Sequence, residues 1–180
     1  VAMVKAGSYG TGDVDVARML QHEGVRYLAV AFADEGITLR KKGITMPIVV
    51  LNADQDSFDM MIAHDLEPEI YSFRSLDEFR HAVHRAGREH YPIHIKLDTG
   101  MHRLGLCYDG TSNTKESILE MYHLSHLTIT GTYTHFPAAD SLTPDNIAYT
   151  KKQYELFQKL VAILRKKGIN TGILHTQNSS

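Results

Sequence analysis

Apolar and polar positions along this chain follow two alternating periods. Short aliphatic and β-branched runs occur at Ala2–Val4, Tyr27–Ala31, Pro47–Leu51, Glu69–Ser72, Ile93–Leu97, Thr128–Thr134 and Gly172–His175, each of strand length. Between them lie stretches with helical spacing, near Asp13–Glu23, Ala33–Lys42, Gln55–His64, Leu76–Glu89, Lys115–Tyr122 and Pro144–Lys167. Asp13 and Ser75 are candidate helix caps, and Gly24, Gly43 and Gly168 stand where helices should stop. Strict β–α alternation predicts parallel strands joined by right-handed crossovers. No repeat, low-complexity tract or linker breaks the pattern, so residues 1–180 read as one α/β domain.

Seven strands and six helices fit a (β/α)8 TIM barrel, and fit a doubly wound sheet less well. Gly7-Ser-Tyr-Gly-Thr-Gly12 lacks the spacing of a dinucleotide-binding loop. A seven-stranded partial barrel has two open edges, which folded proteins avoid. The expectation is therefore a truncated barrel with about seven strands present and an eighth beyond Ser180. The absence of a start methionine and the strand-like first residues agree with a piece cut from something longer.

Composition narrows the function classes. Hydrophobic residues are 43%, charged residues 22%, and the net charge is -2 with both signs interspersed, so no nucleic-acid or membrane partner is expected. No apolar run is long enough to span a bilayer and no signal peptide is visible. A single cysteine, Cys107, excludes an intramolecular disulfide and fits a reducing cytoplasm.

Barrel active sites lie at the carboxyl ends of the strands. The segments that fall there are Val4-Lys-Ala-Gly-Ser-Tyr9, His94 to Gly105, Tyr133 to Asp140 and Leu174 to Ser180. They would bring an amine, a guanidinium, imidazoles, a phenol and an Asn/Ser pair to one mouth. That assortment suits an anionic, aromatic cofactor: a lysine for the imine, hydroxyls and turn N–H groups for a phosphate, an arginine for a phenolate or carboxylate. Ordinary readings stand beside these. A strand-end lysine such as Lys5 either reaches solvent or is held dry as a carbonyl nucleophile. Lys96 shares a strand face with Asp98, an available ion-pair partner. His94, on the same face, suits a packed barrel interior. A zinc site of His94, His135 and His175 lacks any closely spaced ligand pair, so no metal is expected. His64, His81, His84, His90, His123 and His126 read as ordinary surface or core residues, and Arg165-Lys-Lys167 as a helix end complementing its dipole.

Four of these segments resemble the N-terminal barrel domain of the alanine racemase family, pyridoxal-phosphate enzymes of fold type III. The family pattern Val-Lys-Ala-x-x-Tyr-Gly-x-Gly is met by Val4 to Gly12, and Lys-x-Asp-Thr-Gly-Met-x-Arg-x-Gly by Lys96 to Gly105. Thr-His-Phe-x-x-Ala-Asp is met by Thr134 to Asp140, and His-x-x-Asn-Ser by His175 to Ser179. Departures are His102, where the family commonly has glycine, Gly7-Ser8 for Asn-Ala, and Gln177 and Ser180 for alanines. This wording resembles the racemase half of fused proteins that also carry a D-alanyl-D-alanine-adding ligase.

The resemblance implies roles for particular residues. Lys5 would form the imine with pyridoxal 5'-phosphate and act as one of two bases. Tyr9 and Ser179 would hold the phosphate, with Asn178 beside them; His135 would stack near the pyridine ring. Arg103 would contact the cofactor's phenolic oxygen and the substrate carboxylate. Lys96 matches a lysine often carbamylated, which orients that arginine, and His175 would support the pocket from behind. The implied reaction interconverts L-alanine and D-alanine, supplying D-alanine for peptidoglycan. The second base would be a tyrosine from the C-terminal β-domain of the partner subunit in a homodimer. With that domain outside the chain, the isolated piece is expected to be inactive. The competing readings are a non-catalytic pyridoxal-phosphate barrel and a related racemase of broad specificity or decarboxylase; Arg103 and Lys96 favour the enzyme over the carrier.

Overall fold

A computed structural model describes residues 1–123 and 127–177. Its sheet is wholly parallel: β1 (Ala2–Met3), β2 (Leu28–Val30), β3 (Ile48–Val50), β4 (Glu67–Ile70), β5 (Tyr91–Asp98), β7 (Leu127–His135) and β8 (Ile173–Gln177) follow one another in sequence order. β6 (Leu106–Cys107) lies off this path, paired with β5. Every anticipated strand forms. The helices are α2 (Asp13–His22), α3 (Ala33–Lys41), α4 (Phe58–Ala63), α5 (Phe73–Arg85), α6 (Ser112–Tyr122) and α7 (Pro144–Lys166), preceded by a short segment α1 (Lys5–Tyr9). This is the parallel, helix-flanked architecture of a TIM barrel in partial form.

Details differ from expectation for local reasons. The stretch expected as one helix at Gln55–His64 splits into a 3-10 turn at Gln55–Ser57, capped by Asp54, and then α4. The cap of α5 is Ser72, whose Oγ accepts from the Ser75 N–H at 3.0 Å; Ser75 is the third helical residue. Asp13 likewise lies inside the first turn of α2, behind Gly12. Gly24, Gly43 and Gly168 do follow helix ends, with φ of 72°, 86° and 72°. β6 exists because the loop after β5 folds straight back: a Cβ on Gly105 would stand 2.8 Å from the Asp98 amide nitrogen.

Strand periodicity divides the interior in two. On β5, Ile93, Ile95 and Leu97 face the helices and join Leu28, Val30, Ile48, Val50 and Ile70 in a fully buried apolar layer with Phe79, Phe157 and Leu160. The opposite face, inside the curl of the sheet, is polar: Glu67 and Glu69 from β4, His94 and Lys96 from β5, Tyr133 from β7, His175 from β8. Such groups are tolerated in a dry interior only when they satisfy one another. Here Thr130 donates to Glu67 at 2.6 Å, while His94 Nε2 stands 3.2 Å from the same carboxylate without hydrogen-bond geometry. The opposing strand makes room for the imidazole with Gly131, where a Cβ would overlap the ring. Among the described residues, no helix is long and apolar enough to cross a membrane.

Candidate active site

The carboxyl ends of the strands surround a cavity of about 230 Å³. Lys5 enters from the end of β1, Lys96 from β5, Tyr133 and His135 from β7, and Arg103 from the loop after β5. Met3 from β1 and Thr176 from β8 both border it, so the sheet curls far enough for its two outer strands to share one cavity. Among the described residues, no carboxylate lines it. The consequence shows at His135, whose pKa is lowered first by burial and then by Arg103, Lys96 and Lys5. Burial and the positive charges around it both favour the neutral ring.

Lys5 opens an unusual piece of backbone. Ala6, Gly7, Ser8 and Tyr9 all have positive φ (51°, 63°, 53° and 56°), a left-handed turn that closes at Gly10 with φ 88°. Each non-glycine residue there costs about 1–2 kcal/mol. Strain of that kind persists only when its surroundings enforce it. Ser8 N–H donates to Val4 O at 3.1 Å and Gly12 N–H to Gly7 O at 2.9 Å. The stronger restraint is Glu35 on α3, whose carboxylate accepts from Ala6 N–H at 2.7 Å, Ala31 N–H at 2.7 Å and Phe32 N–H at 3.1 Å. One carboxylate thereby welds the turn behind Lys5 to the end of β2.

Beneath the cavity, Lys96 Nζ sits 3.2 and 3.3 Å from the two oxygens of Glu69. Asp98, the partner anticipated from strand periodicity, instead accepts from the Gly100 N–H at 2.8 Å and shapes the loop that carries Arg103. Glu69 is fully buried, and burial drives its carboxyl up to about 7 against the opposing pull of Lys96 and Arg103. Tyr133 donates its hydroxyl to Glu69 and presents its ring to Lys96, 5.6 Å from the centroid. His175 stacks on Tyr133 at 4.7 Å and 7°, and its Nε2 lies 3.1 Å from His94 Nδ1. Burial, then His94, push the His175 pKa down to about 3. This imidazole is neutral at any physiological pH.

Of the residues singled out in the sequence, Lys5, Lys96, Arg103 and His135 meet at the cavity and His175 packs behind it. Tyr9 does not line it: its side chain follows the left-handed turn outward and is 53% exposed. Asn178 and Ser179 lie outside the described residues. Sequence reasoning missed Glu69, Glu35 and the role of Tyr133. Glu35 had a readable signal, an acid at the third position of a helix following Phe32, where it can reach back to the preceding N–H groups.

The family model for the alanine racemase N-terminal domain matches residues 1–180. Among curated relatives, the serine/alanine racemase of Enterococcus gallinarum is 38% identical over 99% of this chain, which covers 24% of that protein. The alanine racemase of Clostridium tetani is 38% identical over the whole chain, which covers 45% of it. The solved alanine racemase of Clostridium difficile 630 in complex with cycloserine superposes with a TM-score of 0.88 at 32% identity, over 99% of this chain and 48% of that one. The chain thus spans about half the length, or less, of the proteins it matches.

Proposed function

We propose that this chain, which belongs to the alanine racemase N-terminal domain family, is the cofactor-binding barrel of a pyridoxal-phosphate enzyme that interconverts L-alanine and D-alanine. The observation that carries the reading is the cavity of Lys5, Lys96 and Arg103 around His135, with no acid on its wall among the described residues. A small, cation-lined, partly aromatic site at strand ends fits an anionic aromatic aldehyde in charge and in chemistry. When bound, pyridoxal phosphate supplies the electron sink that lets an amino acid's Cα–H ionise.

This chain's residues would do the rest. Lys5 would be the residue whose Nζ binds the aldehyde, and its amine would take or return the proton on one face of Cα. Arg103 offers a planar pair of donors to the substrate carboxylate or the cofactor's phenolic oxygen. His135, whose neutral form is favoured by burial and by its cationic neighbours, would pack against a ring without adding charge. Ser179 is the proposed phosphate ligand, with Asn178 beside it; for Tyr9 to join it, its exposed side chain would have to turn inward from the position it takes here. The second base, on the other face of Cα, would be a tyrosine of a partner subunit's C-terminal domain in a homodimer. The D-alanine would serve peptidoglycan synthesis in the cytoplasm.

The test is racemisation by the full-length protein supplied with pyridoxal phosphate. L-Alanine is expected to yield D-alanine, and Lys5→Ala to abolish the conversion. Undiminished conversion by that variant would refute the reading.

A further inference from the structure

Two amines, Lys5 and Lys96, line the same cavity, and an aldehyde entering it could meet either. Their surroundings differ in one respect. Lys96 has both oxygens of a fully buried carboxylate at 3.2 and 3.3 Å, whereas no carboxylate lies within ion-pairing distance of Lys5 among the described residues. We propose that Glu69 is the positioning residue that reserves aldehyde chemistry for Lys5, by holding Lys96 as an unmodified ammonium. The inference rests on the reading of the cavity as a pyridoxal-phosphate site.

The reason is the lone pair. To condense with an aldehyde, an amine nitrogen forms a bond to the carbonyl carbon and the carbonyl oxygen leaves as water. To take up carbon dioxide, the nitrogen bonds the carbon and releases a proton, turning a cation into a carbamate anion. Both steps need an unprotonated nitrogen, and an opposite charge within a few ångströms favours the protonated form. The second step meets a further obstacle. A carbamate on Lys96 would place a new anion against Glu69 in a dry site, and two buried like charges strongly disfavour each other.

The geometry is held from several directions, so neither partner can swing away. Glu69 pairs with His94 in the β4–β5 ladder, one residue from Lys96's neighbour Ile95. Its second oxygen receives the Tyr133 hydroxyl, and the Tyr133 ring, stacked on His175, walls off the ammonium. Once ionised, above the value of about 7 at which it titrates, Glu69 places a negative charge beneath the cavity, felt by Arg103 as well as by Lys96.

Two readouts on the full-length protein test this. In carbon-13 bicarbonate at mildly alkaline pH, the unsubstituted protein should show no carbamate resonance that disappears in Lys96→Ala. Such a resonance would overturn the inference, whether or not any Glu69 variant folds. With pyridoxal phosphate, borohydride reduction and peptide mapping should find the label on Lys5 and not Lys96. Glu69→Gln should raise labelling of Lys96 by about tenfold or more, the effect of removing one close opposite charge, while Glu69→Asp should not. A Glu69→Gln variant with the parent's circular dichroism and no added label on Lys96 would also overturn it. Absence of label from every lysine would count against the cofactor reading alone, and the carbamate measurement would still decide the state of Lys96.

Discussion

Glu35 and Ala6 are joined across 29 residues by a 2.7 Å hydrogen bond from the Ala6 amide to the Glu35 carboxylate. The other oxygen of that carboxylate takes the amides of Ala31 and Phe32. The backbone just after Lys5 is therefore set by a side chain from α3 as well as by its own turn. Replacing Glu35 with alanine leaves three amides without this acceptor and lets the left-handed turn relax. The expected cost is about 1–3 kcal/mol, read as a lowered urea midpoint, with weakened pyridoxal-phosphate binding. An unchanged midpoint and unchanged binding would mean the turn is held by other contacts.

Gly131 faces His94 across the β5–β7 ladder with no space for a side chain. A Gly131→Ala substitution has to displace the imidazole from Glu67 and His175, its two polar neighbours. Overpacking of this kind should destabilise the protein by about 1–3 kcal/mol. Thermal melting would detect it as a drop of several degrees, and an undisturbed melt would show that the inner polar face is slack.

The pH dependence of stability should contain two opposed contributions. His175 binds its proton near 3 when folded and near the ordinary imidazole value of 6.5 when unfolded. The unfolded chain therefore holds more protons between those values, and stability falls as pH drops through them, by about 2 kcal/mol between about pH 7 and about pH 5. Replacing His175 with asparagine should remove that acid-side loss. Chemical denaturation at the two pH values measures it.

Glu69 works in the other direction. Its carboxyl titrates at about 7 when folded and near 4.5 when unfolded, so the folded chain holds the extra proton and stability falls as pH rises across that window. The expected loss is again about 2 kcal/mol from about pH 5 to about pH 7. The parent protein should thus look nearly flat there, while Glu69→Gln should expose the slope due to His175. A variant with the same flat profile as the parent would show that Glu69 does not titrate in this window.

Much of the architecture was legible because short apolar runs mark β2 and β3 and because β5 alternates cleanly. Ile93, Ile95 and Leu97 against His94, Lys96 and Asp98 announce both the apolar outer layer and the polar inner face of β5. The motif residues Lys5, Lys96, Arg103 and His135 converge because all lie at or near the carboxyl ends of strands. Glu69 was not legible. In Glu67-Pro68-Glu69 the acids look solvated, and the partner that justifies burying Glu69 lies 27 residues away on the neighbouring strand. Nor was the conformation after Lys5, because Ala6, Ser8 and Tyr9 are not residues that favour positive φ. Such contacts depend on which strands become neighbours, and local periodicity carries no record of them.

The central claim is that the cation-lined cavity binds pyridoxal phosphate through Lys5. The most direct measurement is a titration of the full-length protein with pyridoxal phosphate, followed by absorbance in the near ultraviolet and visible, reduction with borohydride and mapping of the labelled peptide. The account predicts a saturable absorbance change that is lost in Lys5→Ala, with the reduced pyridoxyl group on Lys5. Saturable binding retained in Lys5→Ala, or a label on any other lysine, would contradict it.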